Sequence, residues 1–357
     1  MTVLREFHDD YGASFVEVGD RDLPADYGRP ERTQRAVRNA AGATEMAYGV
    51  LVVTGDDRVD FVDNAVSNRV PERDTEGCYA LLLDPQGRVR TDMYVYNADD
   101  KLLVFTPPQT AGDIAEEWRE NVFIEDVDIR EATGEFAVFG VHGPKSTEKI
   151  ASVLHGGTPP DDQLTFDRGR INEAGVTVVR TDGLAGEEGY DVVCAAEEAE
   201  TVFDTLLTRG LNAVPFGRTV WESLTLEAGT PLFEYELRDR IPNVAGVRNA
   251  LDFEKGCYVG QELVSKVENR GRPSKRLVGV RLDDTTEGGA DVLHDGEPVG
   301  ELTRVRYSRT LDAHLAFAYV DFDTPADATV DVDDTRGELE ALPFVEGSDR
   351  SARLPTY

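Results

Sequence analysis

Residues 253–270 read FEKGCYVGQELVSKVENR, the stretch of the chain that is least like ordinary core or surface sequence. Gly256 and Gly260 flank Cys257 and Tyr258, so the backbone here can take conformations that other residues resist. A thiol beside Lys255 and close to a helix that starts near Gly260 is in a setting that favours the thiolate. An isolated cysteine is more often a buried small hydrophobic residue. Two interpretations of Cys257 therefore stay open, a reactive thiol and a packing residue.

C-terminal to this stretch, the sequence pattern changes from helical to alternating. From about Lys275 onward the helical period disappears, and short alternating runs remain between Gly and Asp turns. These runs are Leu277–Leu282, Pro298–Arg306 and His314–Val320. Alternation of apolar and polar residues is typical of half-buried strands. The sequence therefore predicts a small all-β domain over residues 273–357.

N-terminal to it, strands and helices follow one another in two similar series. The first comprises Gly49–Gly55, Cys78–Leu83, Val89–Tyr96 and Leu102–Phe105 as strands and Gln109–Asn121 as a helix. The second comprises Glu135–Val141, Gly175–Arg180 and Tyr190–Cys194 as strands, with helices at Pro144–Leu154 and Glu197–Leu211. Such series predict an α+β fold with two ferredoxin-like or split βαβ modules. We expect one module to comprise residues 1–45 and 135–215, and the other residues 46–134 and 216–272.

The first hairpin carries the clearest local signal. Its turn reads Asp84-Pro85-Gln86-Gly87. Proline at the second position presets the backbone of a tight turn, and glycine at the last position tolerates the conformation that closes it. The sequence therefore predicts that Cys78–Leu83 and Val89–Tyr96 pair as neighbouring strands.

The charge balance is unusual. The chain has 69 Asp and Glu against 37 Lys and Arg, a formal net charge of −32. Such a field repels phosphate backbones and anionic membranes, which disfavours nucleic acid and membranes as partners. An acidic docking surface for a basic partner is one interpretation. Because the acids are scattered through nearly every segment, the favoured interpretation is a halophile-like surface that stays hydrated in a salt-rich cytoplasm.

The cysteines and the N-terminus indicate a reducing, internal environment. Cys78, Cys194 and Cys257 have no CxxC spacing, which argues against a disulfide framework and a cysteine-ligated metal site. The five histidines also lack ligand spacing, so no metal site is predicted. The first residues, MTVLREFHDDYG, lack the apolar run of a signal peptide. No stretch approaches the ~20 apolar residues that span a bilayer. We expect a soluble, cytoplasmic protein.

One motif resembles a known family. The signature K-G-C-[FY]-x-G-Q-E is present in full, as Lys255, Gly256, Cys257, Tyr258, Gly260, Gln261 and Glu262. It resembles the YgfZ branch of the glycine-cleavage T-protein (aminomethyltransferase) superfamily. Further landmarks of that superfamily occur in order at Arg35–Gly42, Leu81–Tyr96, Phe139–Pro144, Arg180–Asp191 and Leu226–Gly229. The resemblance implies three domains in a ring, with tetrahydrofolate or a one-carbon derivative threaded into a channel between the first two modules.

The resemblance also implies a set of site residues. Asp92 matches the catalytic aspartate of T-proteins near the folate nitrogens, where a carboxylate orients an amine or stabilises an iminium. Without the family, a solvent-facing aspartate at a strand start is the favoured interpretation. Asp191 matches the residue that holds the pterin ring, with Glu187 and Glu188 as nearby substitutes. Further folate-binding candidates are Tyr190, Trp221 and Tyr258, with core packing as the alternative role of Trp221.

Two departures from the T-protein pattern weaken an aminomethyltransferase interpretation. Trp221 stands where T-proteins carry an active-site arginine, and Thr106 occupies the region of a conserved asparagine. Loss of the arginine leaves a carboxylate unpaired or a substrate unheld. Separately, Arg270, Arg272, Lys275 and Arg276 form a dense basic cluster. It is either a solvated linker or a seat for the folate glutamate tail, an RNA or a protein partner.

The leading functional hypothesis is a folate-dependent accessory factor for the maturation or repair of iron–sulfur enzymes, with tRNA-modifying enzymes among its clients. Its partners would be iron–sulfur enzymes or assembly proteins, and Cys257 would be the reactive or cluster-contacting thiol. The alternative is a tetrahydrofolate-dependent aminomethyltransferase that works with a lipoylated H-protein. A third possibility is a folate-binding scaffold. The sequence leaves open whether the protein is an enzyme at all.

Overall fold

The computed structural model describes residues 2–19, 21–269 and 271–357. These residues form a two-stranded hairpin, a six-stranded sheet, a five-stranded sheet and a closed six-stranded barrel, with helices packed around the two larger sheets. The predicted α+β class and the predicted C-terminal β-barrel are both confirmed. The residue bounds of the two α+β modules stay a prediction.

The helices and strands have the following bounds. The helices are α1 (Arg5–Asp10), α2 (Pro30–Asn39), α3 (Arg58–Ala65), α4 (Ala111–Glu120), α5 (Ser146–Ala151), α6 (Ala199–Thr208), α7 (Arg218–Glu227), α8 (Pro242–Ala245) and α9 (Gln261–Asn269). The first strands are β1 (Ser14–Val18), β2 (Arg21–Asp26), β3 (Gly42–Glu45), β4 (Gly49–Thr54), β5 (Gly77–Leu83), β6 (Val89–Asn97), β7 (Lys101–Thr106), β8 (Asp128–Glu131) and β9 (Phe136–His142). The remaining strands are β10 (Phe166–Ile171), β11 (Ala174–Arg180), β12 (Gly189–Ala195), β13 (Val214–Pro215), β14 (Lys275–Leu282), β15 (Asp291–His294), β16 (Glu297–Ser308), β17 (Ala313–Asp321), β18 (Thr329–Val332) and β19 (Thr335–Glu340).

The five-stranded sheet runs in the order β5-β6-β7-β4-β8. Its central hairpin closes as the sequence predicts, because the amide of Gly87 donates to the carbonyl of Asp84 at 2.9 Å and Gly87 has φ +69°. Helices α3 and α4 cover one face, where the Trp118 side chain is buried among the apolar strand residues. The opposite face is apolar as well and turns toward the six-stranded sheet.

The six-stranded sheet runs in the order β10-β11-β12-β9-β3-β13. Helices α1, α5 and α6 bury their apolar residues against one face, and the rings of Phe139 and Phe203 stack there with centroids 4.8 Å apart. On the other face, Val138, Phe166, Val179 and Val193 belong to the same apolar cluster as strand residues of the five-stranded sheet. The two sheets therefore face one another, and the space between their inner faces is available for a ligand.

In the N-terminal region the sequence has one short helical pattern, near Arg32–Ala41, which corresponds to α2. The structure adds α1 and the β1–β2 hairpin. These elements are short and mostly polar, so local periodicity carries little signal. They are fixed by a few buried anchors, Leu4, His8 and Leu23. Tertiary contacts rather than propensity hold this region.

The barrel is attached to the rest of the chain through Glu227, whose carboxylate is fully buried at the end of α7. It accepts hydrogen bonds from Gln34 Nε2 at 2.5 Å and from Arg38 Nη2 at 2.8 Å, both on α2. From the barrel it accepts hydrogen bonds from Ser308 Oγ at 2.6 Å and from Thr310 Oγ1 at 3.2 Å. A single carboxylate thus joins α2, α7 and the β16–β17 connection.

Substituting Glu227→Gln should lower the free energy of unfolding by about 2–3 kcal/mol, because charge-assisted bonds are lost and an amide N–H₂ meets donors in a buried site. Urea denaturation followed by circular dichroism measures the change. Glu120→Gln, at an exposed position of α4, is the matched control and should change stability by less than about 0.5 kcal/mol. Equal effects of the two substitutions would contradict the assigned role of Glu227.

Candidate functional site

A cavity of about 90 Å³, hereafter the central cavity, opens where the two sheets meet α7 and the C-terminal segment. Its lining includes Pro24, Met46, Tyr48, Asp92, Phe105, Trp221, Phe233, Glu234 and Arg353. Apolar and aromatic walls with a few charged groups are typical of a small-molecule site. Phe233 and Glu234 belong to a π-helical turn, Phe233–Leu237, a geometry that is frequent at functional sites.

Asp92 lies in this cavity and is nearly buried, with 8% of its surface exposed. The hairpin turn fixes the register in which Asp92 of β6 lies opposite Leu81 of β5. Its carboxylate accepts a hydrogen bond from Tyr79 Oη at 2.9 Å. Burial raises the pKa of Asp92, and the nearby Arg353 guanidinium partly offsets that rise. The solvent-facing interpretation of Asp92 is therefore wrong.

Arg353 enters the cavity from residues 341–357, which leave the barrel after β19 and return to the two sheets. Its Nη1 donates to Asp92 Oδ2 at 3.1 Å, and its Nε donates to Asp182 Oδ2 at 3.2 Å. The guanidinium lies 3.8 Å from the ring centroid of Tyr79 and also donates to the hydroxyl of Tyr94. Arg353 lies in a part of the chain where sequence reasoning gave no signal.

Asp191 lies next to the central cavity in a smaller pocket of about 10 Å³, hereafter the inner pocket. Its walls include Tyr48, Tyr94, Tyr96 and Phe105. Tyr48 Oη donates to Asp191 Oδ2 at 3.4 Å, and among the residues that the structure describes none donates to Asp191 Oδ1. Burial, with a further contribution from the charge of Asp182, raises the pKa of Asp191 to about 7. A free carboxylate oxygen among aromatic rings suits a flat ligand that carries N–H donors.

The raised pKa of Asp191 predicts a dependence of stability on pH. Because its pKa is about 7 in the folded chain against 3.8 for an ordinary Asp, folding favours the protonated form. This stabilising contribution of Asp191 is fully present below about pH 4. As pH rises toward 7 it decreases by about 1.4 kcal/mol per pH unit, and it is lost once pH has passed 7. The unfolding free energy of Asp191→Asn should therefore rise, relative to that of wild type, by about 2 kcal/mol between pH 5 and pH 8. Urea denaturation at both pH values measures it, and an unchanged difference would contradict the shift.

The remaining folate candidates from the same motif point elsewhere. Successive residues of a strand face opposite sides, so Tyr190 points away from Asp191. Its hydroxyl accepts from Arg180 Nη1 at 2.6 Å on the helix-covered side. Glu187 is half-buried. Burial raises the pKa of its carboxyl, and the Arg38 guanidinium, 3.7 Å away, partly offsets that rise. The expectation that Tyr190 and Glu187 bind folate is thus revised, whereas Asp191 keeps a suitable position.

Trp221 lies in the wall of the central cavity, so packing and ligand stacking are both compatible with its position. It also contacts the buried His142 ring, with centroids 4.9 Å apart. One helical turn earlier, Arg218 reaches the same cavity and donates to Glu222 Oε1 at 2.7 Å. Arg218 and Glu234 are charged lining residues that sequence reasoning missed, because their patterns are those of an ordinary helix surface.

The signature loop lies outside the central cavity, against the first hairpin and α3. Gly260, with φ +84°, approaches the Asp84–Gly87 turn so closely that a side chain would collide with its backbone. Lys255 is buried, and its Nζ donates to the carbonyls of Val66 and Asn68, both at 2.9 Å, and lies 3.2 Å from Asp63 Oδ1. The signature lysine thus caps the end of α3.

Cys257 and Tyr258 are neighbours in this loop but lie in different environments. The Cys257 side chain is exposed, which excludes the packing interpretation. The Tyr258 ring is buried in the core and lies 5.8 Å from Lys255 Nζ. Neither residue belongs to the described lining of the central cavity or the inner pocket, so the expectation that Tyr258 binds folate is revised. Gln261 Nε2 donates to the carbonyl of Lys255 at 3.5 Å and helps to close the loop.

The basic cluster before the barrel is largely neutralised. Arg272 pairs with Asp323, Lys275 lies 3.5 Å from Asp321, and Arg276 donates to the carbonyl of Thr324. Arg270 lies outside the described residues. Among residues 2–19, 21–269 and 271–357, no His, Cys, Asp or Glu side chains are grouped so that they could hold a metal ion. Over the same residues, no helix is long and apolar enough to cross a membrane.

Comparisons with known proteins agree with this architecture. Two family models match the sequence, the GCVT N-terminal domain over residues 4–255 and the glycine cleavage T-protein C-terminal barrel domain over residues 275–345. An aminomethyltransferase of Symbiobacterium thermophilum is 28% identical over 336 residues, which cover 89% of this chain and 88% of the relative. A probable aminomethyltransferase of Natronomonas pharaonis is 30% identical over 366 residues, covering 96% and 98%.

The fold is also similar to a solved structure. The crystal structure of glycine cleavage system aminomethyltransferase T from Bartonella henselae superposes with a TM-score of 0.85. The match has 19% sequence identity and covers 97% of this chain and 98% of the other. At that identity the similarity concerns the fold alone.

Proposed function

This chain belongs to the glycine cleavage T-protein family, and from that premise we propose that it binds a reduced folate in the central cavity and transfers a one-carbon group. The observation that carries the proposal is the buried pair of Asp92 and Arg353, 3.1 Å apart in that cavity. A paired carboxylate in a mostly apolar site keeps its orientation and acts electrostatically with little reorganisation. The aminomethyltransferase interpretation is therefore favoured over the accessory-factor interpretation.

The free acceptor of Asp191 matches the N–H donors of a pterin ring. Asp191 Oδ1 has no donor among the described residues, and a pterin offers a ring N–H beside an exocyclic amine. Two parallel bonds of this kind hold a planar ligand in one orientation. Tyr48, Tyr94 and Phe105 line both the inner pocket and the central cavity, so their rings can contact one continuous ligand. In this proposal Asp191 orients the ring, and the aromatic walls exclude water.

Asp92 takes the chemical role. A bound reduced folate supplies the nitrogen atoms that carry the one-carbon group. Asp92 stabilises positive charge that develops beside it and accepts or returns a proton, because its raised pKa brings it closer to neutral pH. Tyr79 and Arg353 hold the carboxylate in place. Arg353 keeps this carboxylate paired.

The direct test is the formation of methylenetetrahydrofolate from tetrahydrofolate and an aminomethyl-loaded lipoyl H-protein. A coupled dehydrogenase reports the product as a change in absorbance. We expect turnover by the wild-type chain and saturation with tetrahydrofolate. Tetrahydrofolate binding, measured separately by calorimetry, distinguishes a binder from a transferase. If the wild-type chain showed neither binding nor turnover over the whole range from pH 6 to pH 8, the proposal would be refuted.

A second candidate function is an accessory role toward iron–sulfur enzymes, favoured by the exposed Cys257 in a complete signature loop. Its partners would be iron–sulfur enzymes, including tRNA-modifying ones. Complementation of a deletion strain separates the two functions. An accessory role requires that Cys257→Ser fails to restore iron–sulfur enzyme activities, whereas a transferase role requires that Cys257→Ser retains turnover in the assay above.

A further inference from the structure

Asp182 is a buried carboxylate that neither the family resemblance nor the proposed reaction uses. It follows β11, and none of its surface is exposed. Its Oδ1 accepts a hydrogen bond from Tyr94 Oη at 2.8 Å, and its Oδ2 accepts one from Arg353 Nε at 3.2 Å. Its main-chain carbonyl accepts from the amide of Ala352 at 2.9 Å. One residue therefore holds both the side chain of Arg353 and the chain segment that carries it.

The geometry explains why Arg353 needs a second carboxylate. An arginine has a long, flexible side chain, and a single contact with Asp92 would leave the guanidinium free to rotate. Asp182 binds the Nε edge while Asp92 binds Nη1, and the ring of Tyr79 lies against the planar face. Three contacts on different sides of the guanidinium fix its orientation. The edge that meets Asp92 is thereby determined by Asp182.

The charge of Asp182 also acts on the inner pocket. The hydroxyls of Tyr48, Tyr94 and Tyr96 line the inner pocket with Asp191. The Asp182 carboxylate and the Arg353 guanidinium lie behind this wall, since both are hydrogen-bonded to the hydroxyl of Tyr94. Asp182 is the negatively charged group among them, and like charges at short range disfavour ionisation of the second acid. This adds to the effect of burial on Asp191.

We propose that Asp182 is a positioning residue of this site, which fixes Arg353 against Asp92 and lies behind the Tyr94 wall of the inner pocket that holds Asp191. The inference rests on the proposed function, because the ligand whose binding it controls is a reduced folate. A pterin that donates two N–H groups binds the ionised form of Asp191. Affinity therefore rises with pH until Asp191 is ionised, and the Asp182 charge determines where the midpoint of that rise lies.

The experiment is a calorimetric titration with 5-formyltetrahydrofolate between pH 5.5 and 8.5. In wild type, affinity should rise with pH around a midpoint near 7, the pKa of Asp191. In Asp182→Asn, which preserves shape and removes the charge, the midpoint should fall by about one pH unit. Asp161→Asn is the matched control, since it removes a carboxylate at an exposed position outside both pockets. Its midpoint should stay within about 0.3 unit of wild type.

Each outcome decides the proposal. A uniform loss of affinity in Asp182→Asn at every pH, with the midpoint unchanged, means that the residue is merely structural and overturns the inference. Should Asp182→Asn not fold, Asp182→Ser removes the charge with a smaller side chain, and the same shift is expected. A wild-type chain that binds no reduced folate at any pH overturns the proposed function as well. Binding that persists without the shift overturns this inference alone.

Discussion

Replacing Arg353 by methionine should abolish measurable folate binding and lower the free energy of unfolding by about 3–5 kcal/mol. The guanidinium is almost completely buried and joins Asp92 to Asp182. Methionine has a similar volume, so the loss comes from charge rather than packing. It leaves two buried carboxylates without their cation, and breaking a buried pair from one side is much more costly than never forming it.

Urea denaturation and folate titration of the same preparations test this result. Arg350→Met is the matched control, because Arg350 lies on the same segment but is 53% exposed and pairs with Glu188 at the surface. Its substitution should cost less than about 1 kcal/mol. Arg353→Lys keeps the charge but cannot bridge two carboxylates, so an intermediate loss is expected. A stability loss in Arg353→Met no larger than that of Arg350→Met would refute the assigned role.

The second large effect is expected for Asp92→Asn, which should lower the rate of one-carbon transfer by about 10²–10⁴-fold. Asparagine has nearly the same shape and can still accept hydrogen bonds from Tyr79 and Arg353, so the cavity should keep its form. What disappears is the negative charge and the capacity to exchange a proton. Folate affinity should therefore change much less than turnover.

Steady-state turnover with saturating tetrahydrofolate and calorimetric affinity separate these two quantities. Asp128→Asn, on the exposed side of β8, is the control and should leave both unchanged. If Asp92→Asn retained more than about half of the wild-type turnover, Asp92 would not take part in the chemistry. If turnover and affinity fell in equal proportion, the carboxylate would serve binding alone.

Most of the fold was accessible from the sequence where neighbouring residues carry the information. The hairpin of β5 and β6 follows from the Asp84–Gly87 turn, and the barrel follows from alternating strands after Lys275. The β1–β2 hairpin was not accessible, because its residues are polar and it depends on anchors elsewhere. Helix ends differed from expectation by a few residues, as expected where capping signals are weak.

The candidate site divides in the same way. Asp92, Asp191 and Trp221 were identified from motifs, and the structure brings all three to two adjoining pockets. Tyr190 and Tyr258 came from the same motifs but face other parts of the molecule. A motif gives the identity of a residue and its place in the chain. It does not by itself give the side of a strand or loop that the residue occupies.

The sequence by itself determined the α+β class, the terminal barrel and the strand that presents Asp92, because turns and periodicity act between residues close along the chain. Only the tertiary structure decided what surrounds Asp92, since Arg353 is 261 positions away and meets it through the return of the C-terminal segment. It also decided that Lys255 caps α3. Contacts between distant residues depend on how whole elements pack, and such packing leaves no local pattern to recognise.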